Sequence, residues 1–347
     1  MKGGDVLEEL EQLGGRDVTP LSPSADGVLA TPSSSLARSY ARVEDVLCDV
    51  LDQFARNFLL NDLTAPESQK LLERTSASLS TRFTLPRREP RRRATTIEQV
   101  HQARVSIRRL RSTLRTFGAT FAPHWVSPLA TELSWYASAL GEVRDLDVLR
   151  DSIAKTLWLV DDNRIRTLVS GRLNRLSEAA HDRLALEKST KRYACLVDDI
   201  ATIANAKFAN GIPENAKEAL RPGVERAWAQ VTKYRRQAKI DPSTERLHRV
   251  RIELKRLQCA CEIVGLVDPE HSLKVARASA SAQSHLGAVH DEAGASAWLR
   301  GLVVAEPRLK RPLRAIIAAH EDERKEAQVG WLDELAKVER RWDRWDL

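Results

Sequence analysis

From Leu36 onward, apolar residues recur three and four positions apart, first in "LARSYARVEDVLCDVLDQFARNFLL". That spacing puts them on one face of a helix. The same period predicts helices over residues 97–121, 127–158, 163–188, 192–209, 214–238, 244–265, 270–304 and 308–345. Prolines 66, 86, 90, 123, 128, 213, 242, 269 and 307 coincide with the expected breaks. No stretch alternates apolar and polar residues with the period of a strand. The pattern predicts an all-α protein. Residues 1–35 are rich in Gly, Ser, Pro and Thr and predict a flexible N-terminal tail, with a short acidic helix around "DVLEELEQL".

The pattern also repeats. "HQARVSIRRLRS" from His101 returns 147 residues later as "HRVRIELKRLQC" from His248. "LGEVRD" from Leu140 returns 146 residues later as "LGAVHD" from Leu286. Two matches in the same order at nearly equal offsets predict an internally duplicated helical core. Its first repeat is placed at 36–210 and its second at 211–347.

On a helical projection, His101, Arg104, Arg108, Arg111 and Arg115 share a stripe roughly 80° wide. Val100, Ile107, Leu110, Leu114, Phe117 and Phe121 form an apolar stripe beside it. Arg109 falls outside the row, on the side away from that stripe. In the second copy His248, Arg251 and Lys255 repeat the row, edged by Leu247, Val250, Leu254, Leu257 and Cys261. There Gln258 and Glu262 replace Arg111 and Arg115, so Glu262→Arg is expected to restore a missing cation.

Exposed helices usually interleave signs so that Glu and Lys pair one turn apart. Four arginines and a histidine on one row, with no carboxylate among them, repel each other. Compensation is expected from Asp145, Asp147 and Asp291, or from a bound polyanion.

Charge sharpens this picture. The 347 residues hold 55 Lys and Arg against 48 Asp and Glu, a net charge of +7 with a pI near 9.3. Between Arg87 and Thr116, ten arginines face only Glu89 and Glu98, so this one segment carries the whole excess. Its first part, "PRREPRRRATT", is expected to be a basic loop that attracts anions. A row of 14 helical steps is about 21 Å long, enough for several successive anionic groups. Sequence-neutral binding of single-stranded nucleic acid would add aromatic platforms to the row, and it has none. The expected ligand is therefore a polymer of phosphates without bases. No apolar run reaches the length of a membrane span. Four scattered cysteines and no signal peptide lead to the expectation of a cytoplasmic protein.

Enzymatic alternatives are weaker. The pairs His181–Asp182 and His290–Asp291 suggest a metal-dependent HD-type phosphohydrolase. The repeat sets Arg144–Asp145 against the second pair, and arginine does not ligate metal. Asp145, Asp147, Asp161 and Asp162 are better salt-bridge partners than a focused Mg²⁺ site. Cys259 and Cys261 point to different helix faces. No P-loop or nucleophile elbow is present. The expectation is a non-catalytic binder with no catalytic residue, metal site or cofactor. A sequence-neutral nucleic-acid binder is kept as a further alternative.

The repeated H-x-x-R-x-x-x-[RK] motif, each copy followed by LG-x-x-x-D, resembles the CHAD family, the conserved histidine α-helical domain. "HLGAVHDEAGASAWL" and the C-terminal "RRWDRW" support it, and the resemblance runs from about Leu36 to Trp345. It implies two pseudo-twofold-related four-helix bundles around a basic channel. It also implies binding of inorganic polyphosphate and association with polyphosphate granules. Carried over motif by motif, the binding residues are His101, Arg104, Arg108, Arg109 and Arg111, then His248, Arg251, Lys255 and Arg256. The row itself adds Arg115. Many relatives carry a fused triphosphatase domain that begins with E-x-E-x-K. No such motif occurs here, and a stand-alone module is expected.

Overall fold

A computed structural model describes residues 42–64, 67–71 and 96–345. The expected N-terminal tail at 1–35 and the basic loop around 86–95 lie outside these residues. Among the described residues, ten helices of more than one turn and a half carry the fold. They are α1 (Val43–Asp62), α2 (Thr96–Thr116), α3 (Pro123–Thr156), α4 (Asn163–Lys188) and α5 (Lys191–Ala201), then α6 (Ala216–Ile240), α7 (Thr244–Val264), α8 (Pro269–Ala305), α9 (Arg314–Gln328) and α10 (Trp331–Trp342). A short helical piece covers 67–71. Among the described residues there is no strand, only two isolated bridges, Arg42 with Asn215 and Phe121 with Phe208.

The helix starts follow from local chemistry. A short side-chain oxygen that accepts from an orphan amide of the first turn favours initiation. Asp162 does this for α4, Thr190 for α5, Asn215 for α6 and Ser243 for α7. Pro123 and Pro269 occupy the first turns of α3 and α8, where a missing amide costs nothing. Pro128 was expected as a break but lies inside α3. It is close enough to the start that continuation sacrifices little. The single helix expected over 308–345 is divided at Gly330, whose φ of 83° is left-handed and suits glycine.

Each half packs in the same order: α1 on α2, α2 on α3 and α3 on α4, then α6 on α7, α7 on α8 and α8 on α9. The apolar stripes of α2 and α7 are buried as expected, with Ile107, Leu110, Leu254 and Leu257 all at 0% exposure. Burying such side chains contributes about 1.5–3 kcal/mol each. One cluster takes Ile153, Val169 and Leu173 from before residue 210, and Ala295, Leu299 and Ile316 from after it. The ends of α3 and α4 therefore share a core with α8 and α9.

Polar groups reinforce the packing locally. Tyr136 and Tyr193 each donate to Asp62 Oδ2 at 2.6 Å, and Lys188 lies 2.9 Å from Oδ1. This buried network ties α1 to α3 and α5. Near the C-terminus, Trp342 stacks on Trp228 with ring centroids 5.0 Å apart, and Trp345 Nε1 donates to Asp268 at 3.2 Å.

Gly223 marks the close approach of α6 to the end of α2. A Cβ there would stand 2.7 Å from a Phe117 ring carbon and 2.9 Å from the Thr116 carbonyl oxygen. Gly301 on α8 has open space around it. Gly223→Ala is therefore expected to destabilise by about 1–3 kcal/mol through overpacking. Gly301→Ala should stabilise by up to about 1 kcal/mol through helix propensity. Urea unfolding of the two variants checks the opposite signs.

Candidate functional site

The two motif copies meet their LG segments in the same way. On α2, Arg104 Nη1 donates to the Gly141 carbonyl oxygen at 3.1 Å and to Asp145 Oδ1 at 2.7 Å. On α7, Arg251 Nε donates to the Gln283 carbonyl oxygen at 3.4 Å. A Cβ on Gly141 would lie 3.9 Å from the Arg104 guanidinium, and one on Gly287 only 3.2 Å from Arg251 Nη2. In both copies the motif arginine thus lies over the glycine of the LG segment, closely at Gly287 and in ordinary van der Waals contact at Gly141. That is the physical link between the two sequence motifs.

Around these arginines the environment is electropositive. Burial, His290, Arg251, Lys255 and Arg249 together push the His248 pKa down to about 4. Its ring lies 4.1 Å from that of His290, centroid to centroid. The His290 pKa is lowered by burial and Arg251, against the opposing pull of Asp291 and Asp145. The influence of Asp145 on His290 brings the LG segments of the two halves into one neighbourhood. Burial raises the Asp291 pKa, and Arg251, His290 and Lys255 oppose that rise.

His101 and Arg108 are half-buried on the same face of α2 as Arg104, and Lys255 is half-buried on α7. Farther along α2, Arg111 and Arg115 are exposed, and Arg111 Nη2 donates to Ser134 on α3 at 3.1 Å. Partial desolvation where Arg111 lies against α3, and then Arg115, lower its pKa. Burial lowers the Arg256 pKa, Glu253 at 2.6 Å opposes that, and Arg115 adds to the lowering.

Two expectations need correction. Arg109 is only 8% exposed, and its Nη1 donates to Glu262 Oε2 at 2.7 Å. Glu262 also accepts from Gln258 Nε2 at 2.8 Å, and Gln283 Nε2 donates to Gln258 Oε1 at 2.6 Å. Arg109, outside the row on the projection and carried over as a binding residue by the family motif alone, therefore belongs to a buried polar chain between α2, α7 and α8. Glu262, at 1% exposure, is no vacant place in that row. Glu262→Arg would bury a cation against Arg109, so the expected gain of a binding contact is withdrawn. The period is right, but the packing of α7 turns that half of its stripe inward.

Sequence reasoning weighed His290 only as half of an HD pair and so missed its place beside His248. The available signal was the repeat itself, which sets cationic Arg144 at the matching position. Asp161–Asp162 resolves into a helix cap at Asp162. His181 lies near Asp147, whose pKa is raised by burial and opposed by Arg150 and His181.

Comparison with known proteins bears on this geometry. A CHAD domain family model matches residues 84–300, which include both motif arginines and both LG segments. The chain belongs to the CHAD family. Two solved structures share the CHAD fold seen here. PptA from Streptomyces chartreusis is 18% identical over 88% of this chain and 100% of its own, with a TM-score of 0.60. The CHAD domain from the plant Ricinus communis is 20% identical over 90% of this chain and 94% of its own, with a TM-score of 0.55. A search of the curated proteins returns no match.

The lowered His248 pKa has a consequence for CHAD stability. Between about pH 4 and 6.5 the unfolded chain binds more protons there than the folded one. The stability contribution is complete above the unfolded value and is lost as pH falls toward the folded value. The urea midpoint should drop from about pH 7 to about pH 5, and His248→Phe should flatten that part of the profile.

Proposed function

We propose that this CHAD protein binds inorganic polyphosphate without catalysis, using one basic groove to which both halves contribute. The observation that carries the reading is the recurrence of the docked arginine, Arg104 over Gly141 and Arg251 over Gly287. Burial and then the surrounding cations lower the pKa of His248 and His290, and those cations are the part of the environment that favours an added anion. The proposed contacts are His101, Arg104 and Arg108 from α2, and His248, Arg251, Lys255 and His290 from α7 and α8. Arg111 and Arg115 extend the first row at its exposed end, while Arg256 takes a lesser part beside Glu253.

The recurring helix order supports an internal duplication, with repeats at 36–210 and 211–347 arranged as pseudo-twofold-related four-helix bundles. A cytoplasmic location on polyphosphate granules follows from this reading. Among the described residues, no helix is long and apolar enough to cross a membrane. The HD alternative gains no support, because Arg251 and Lys255 surround His290–Asp291 with positive charge unfavourable to a dication.

Polyphosphate titration at low and moderate salt tests the proposal, with duplex DNA and heparin as competitors. Affinity should fall steeply with salt, as multi-cation contacts on a polyanion release counterions. No binding at low salt, or equal preference for DNA of matched charge, would overturn the reading. Incubation with polyphosphate or triphosphate plus Mg²⁺ or Mn²⁺ should release no phosphate above background.

Reversal of Arg104 and Arg108 to Glu should weaken binding more than reversal of Arg251 and Lys255. At roughly 1.5–3 kcal/mol per charge-assisted contact, each double reversal should cost at least about a hundredfold. Melting curves check that the variants remain folded. Unchanged affinity in either folded variant contradicts a shared groove.

A further inference from the structure

Outside the groove, Glu292 on α8 and His320 and Glu323 on α9 bring three potential ligand atoms within 4.8 Å of one another. His320 is 1% exposed and sits beside an otherwise apolar cluster that includes Leu313, Ile316 and Ile317. Its Nε2 lies 2.9 Å from Thr156 Oγ1, and its Nδ1 lies 2.5 Å from Glu292 Oε2.

Thr156 Oγ1 also lies 3.1 Å from the Ile153 carbonyl oxygen, and a hydroxyl that donates there can accept from His320 Nε2. In that tautomer Nδ1 turns its lone pair toward the Glu292 carboxylate, and a metal ion between them is also within reach of Glu323. Thr156 supplies the outer hydrogen bond that commonly orients a metal-ligating histidine.

We propose that Glu292, His320 and Glu323 form a site for a divalent transition metal of the zinc and cobalt class. One imidazole and two carboxylates suit such ions, while Mg²⁺ and Ca²⁺ favour oxygen-only shells. Ligands about 2.1 Å from a tetrahedral ion stand about 3.4 Å apart, so metal entry opens the His320–Glu292 contact by about 1 Å. Exposed Glu323 places the opening toward solvent. In the first repeat motif the position matching Glu292 is Leu146. The fold therefore accepts an apolar residue there, and the buried polar set is particular to the second half.

The test uses untagged full-length protein, stripped of metal with chelator and kept without polyphosphate, so that its outcome is independent of the groove. Titration with Co²⁺ should show one ion per chain with visible d–d absorption, displaced by Zn²⁺ and not by millimolar Mg²⁺. Saturating Zn²⁺ should raise the melting temperature by about 3 °C or more. Glu323→Gln should weaken Co²⁺ binding at least tenfold without shifting the metal-free melting temperature. His124→Ala, at an exposed position on α3, should leave the Co²⁺ spectrum unchanged. His320→Phe should abolish the spectrum; if it does not fold, Glu292→Gln serves in its place. Absence of stoichiometric Co²⁺ binding, or equal binding by Glu323→Gln, would establish a histidine–carboxylate ion pair only and overturn the proposal.

Discussion

The buried pair of Arg109 and Glu262 sets how α2 lies against α7, and much of the site depends on that placement. Two charges at 8% and 1% exposure lose most of their hydration, and close contact with each other and with Gln258 offsets much of the loss. Such a pair contributes little net stability but penalises any arrangement that separates it. Offset by the repeat, Arg109 matches Arg256 and Glu262 matches Arg115. The matching contact therefore brings two arginines toward each other. One side of the crossing is neutralised and sealed. The other remains cationic and open at Arg115.

The same logic explains the motif pair. A guanidinium needs acceptors where it docks, and Arg104 finds the Gly141 carbonyl while Arg251 finds that of Gln283. Gly287 leaves Arg251 the room to lie there. Asp145 then neutralises part of the first cluster at 2.7 Å, and Asp291 sits beside the second. Burial accounts for the largest part of the depressed His248 pKa, and Arg251, Lys255 and Arg249 add to it. A polyphosphate chain supplies repeated negative charge with no need for base stacking or a shaped aromatic cleft.

Most of the fold was legible because its helices obey local rules. The stripes of α2 and α7 and the prolines at 123 and 269 act within a turn or two, whereas Asp162, expected as a salt-bridge partner, caps α4 instead. The break at Gly330 was missed because an apolar period continues across it, and only the left-handed φ reveals it. Pro128 was over-read because a proline near a helix start breaks little. In the site, the rows were visible but their rotation was not. Gln258 and Glu262 turn inward because α8 and α2 press on α7, a tertiary fact with no sequence periodicity. His290 lies 42 residues from His248 and meets it only through the packing of α7 on α8. Glu292 and His320, 28 residues apart on different helices, were invisible for the same reason.

The central claim is that one phosphate polymer engages cations from both motif copies. A crystal structure of the protein with a polyphosphate long enough to span both rows tests it most directly. Continuous density should run past Arg104 and Arg108 and on to Arg251 and Lys255, with phosphate oxygens about 2.7–2.9 Å from their nitrogens. Arg109 should remain on Glu262. Density confined to the exposed ends at Arg111 and Arg115, or a polymer that displaces Arg109 from Glu262, would contradict the account.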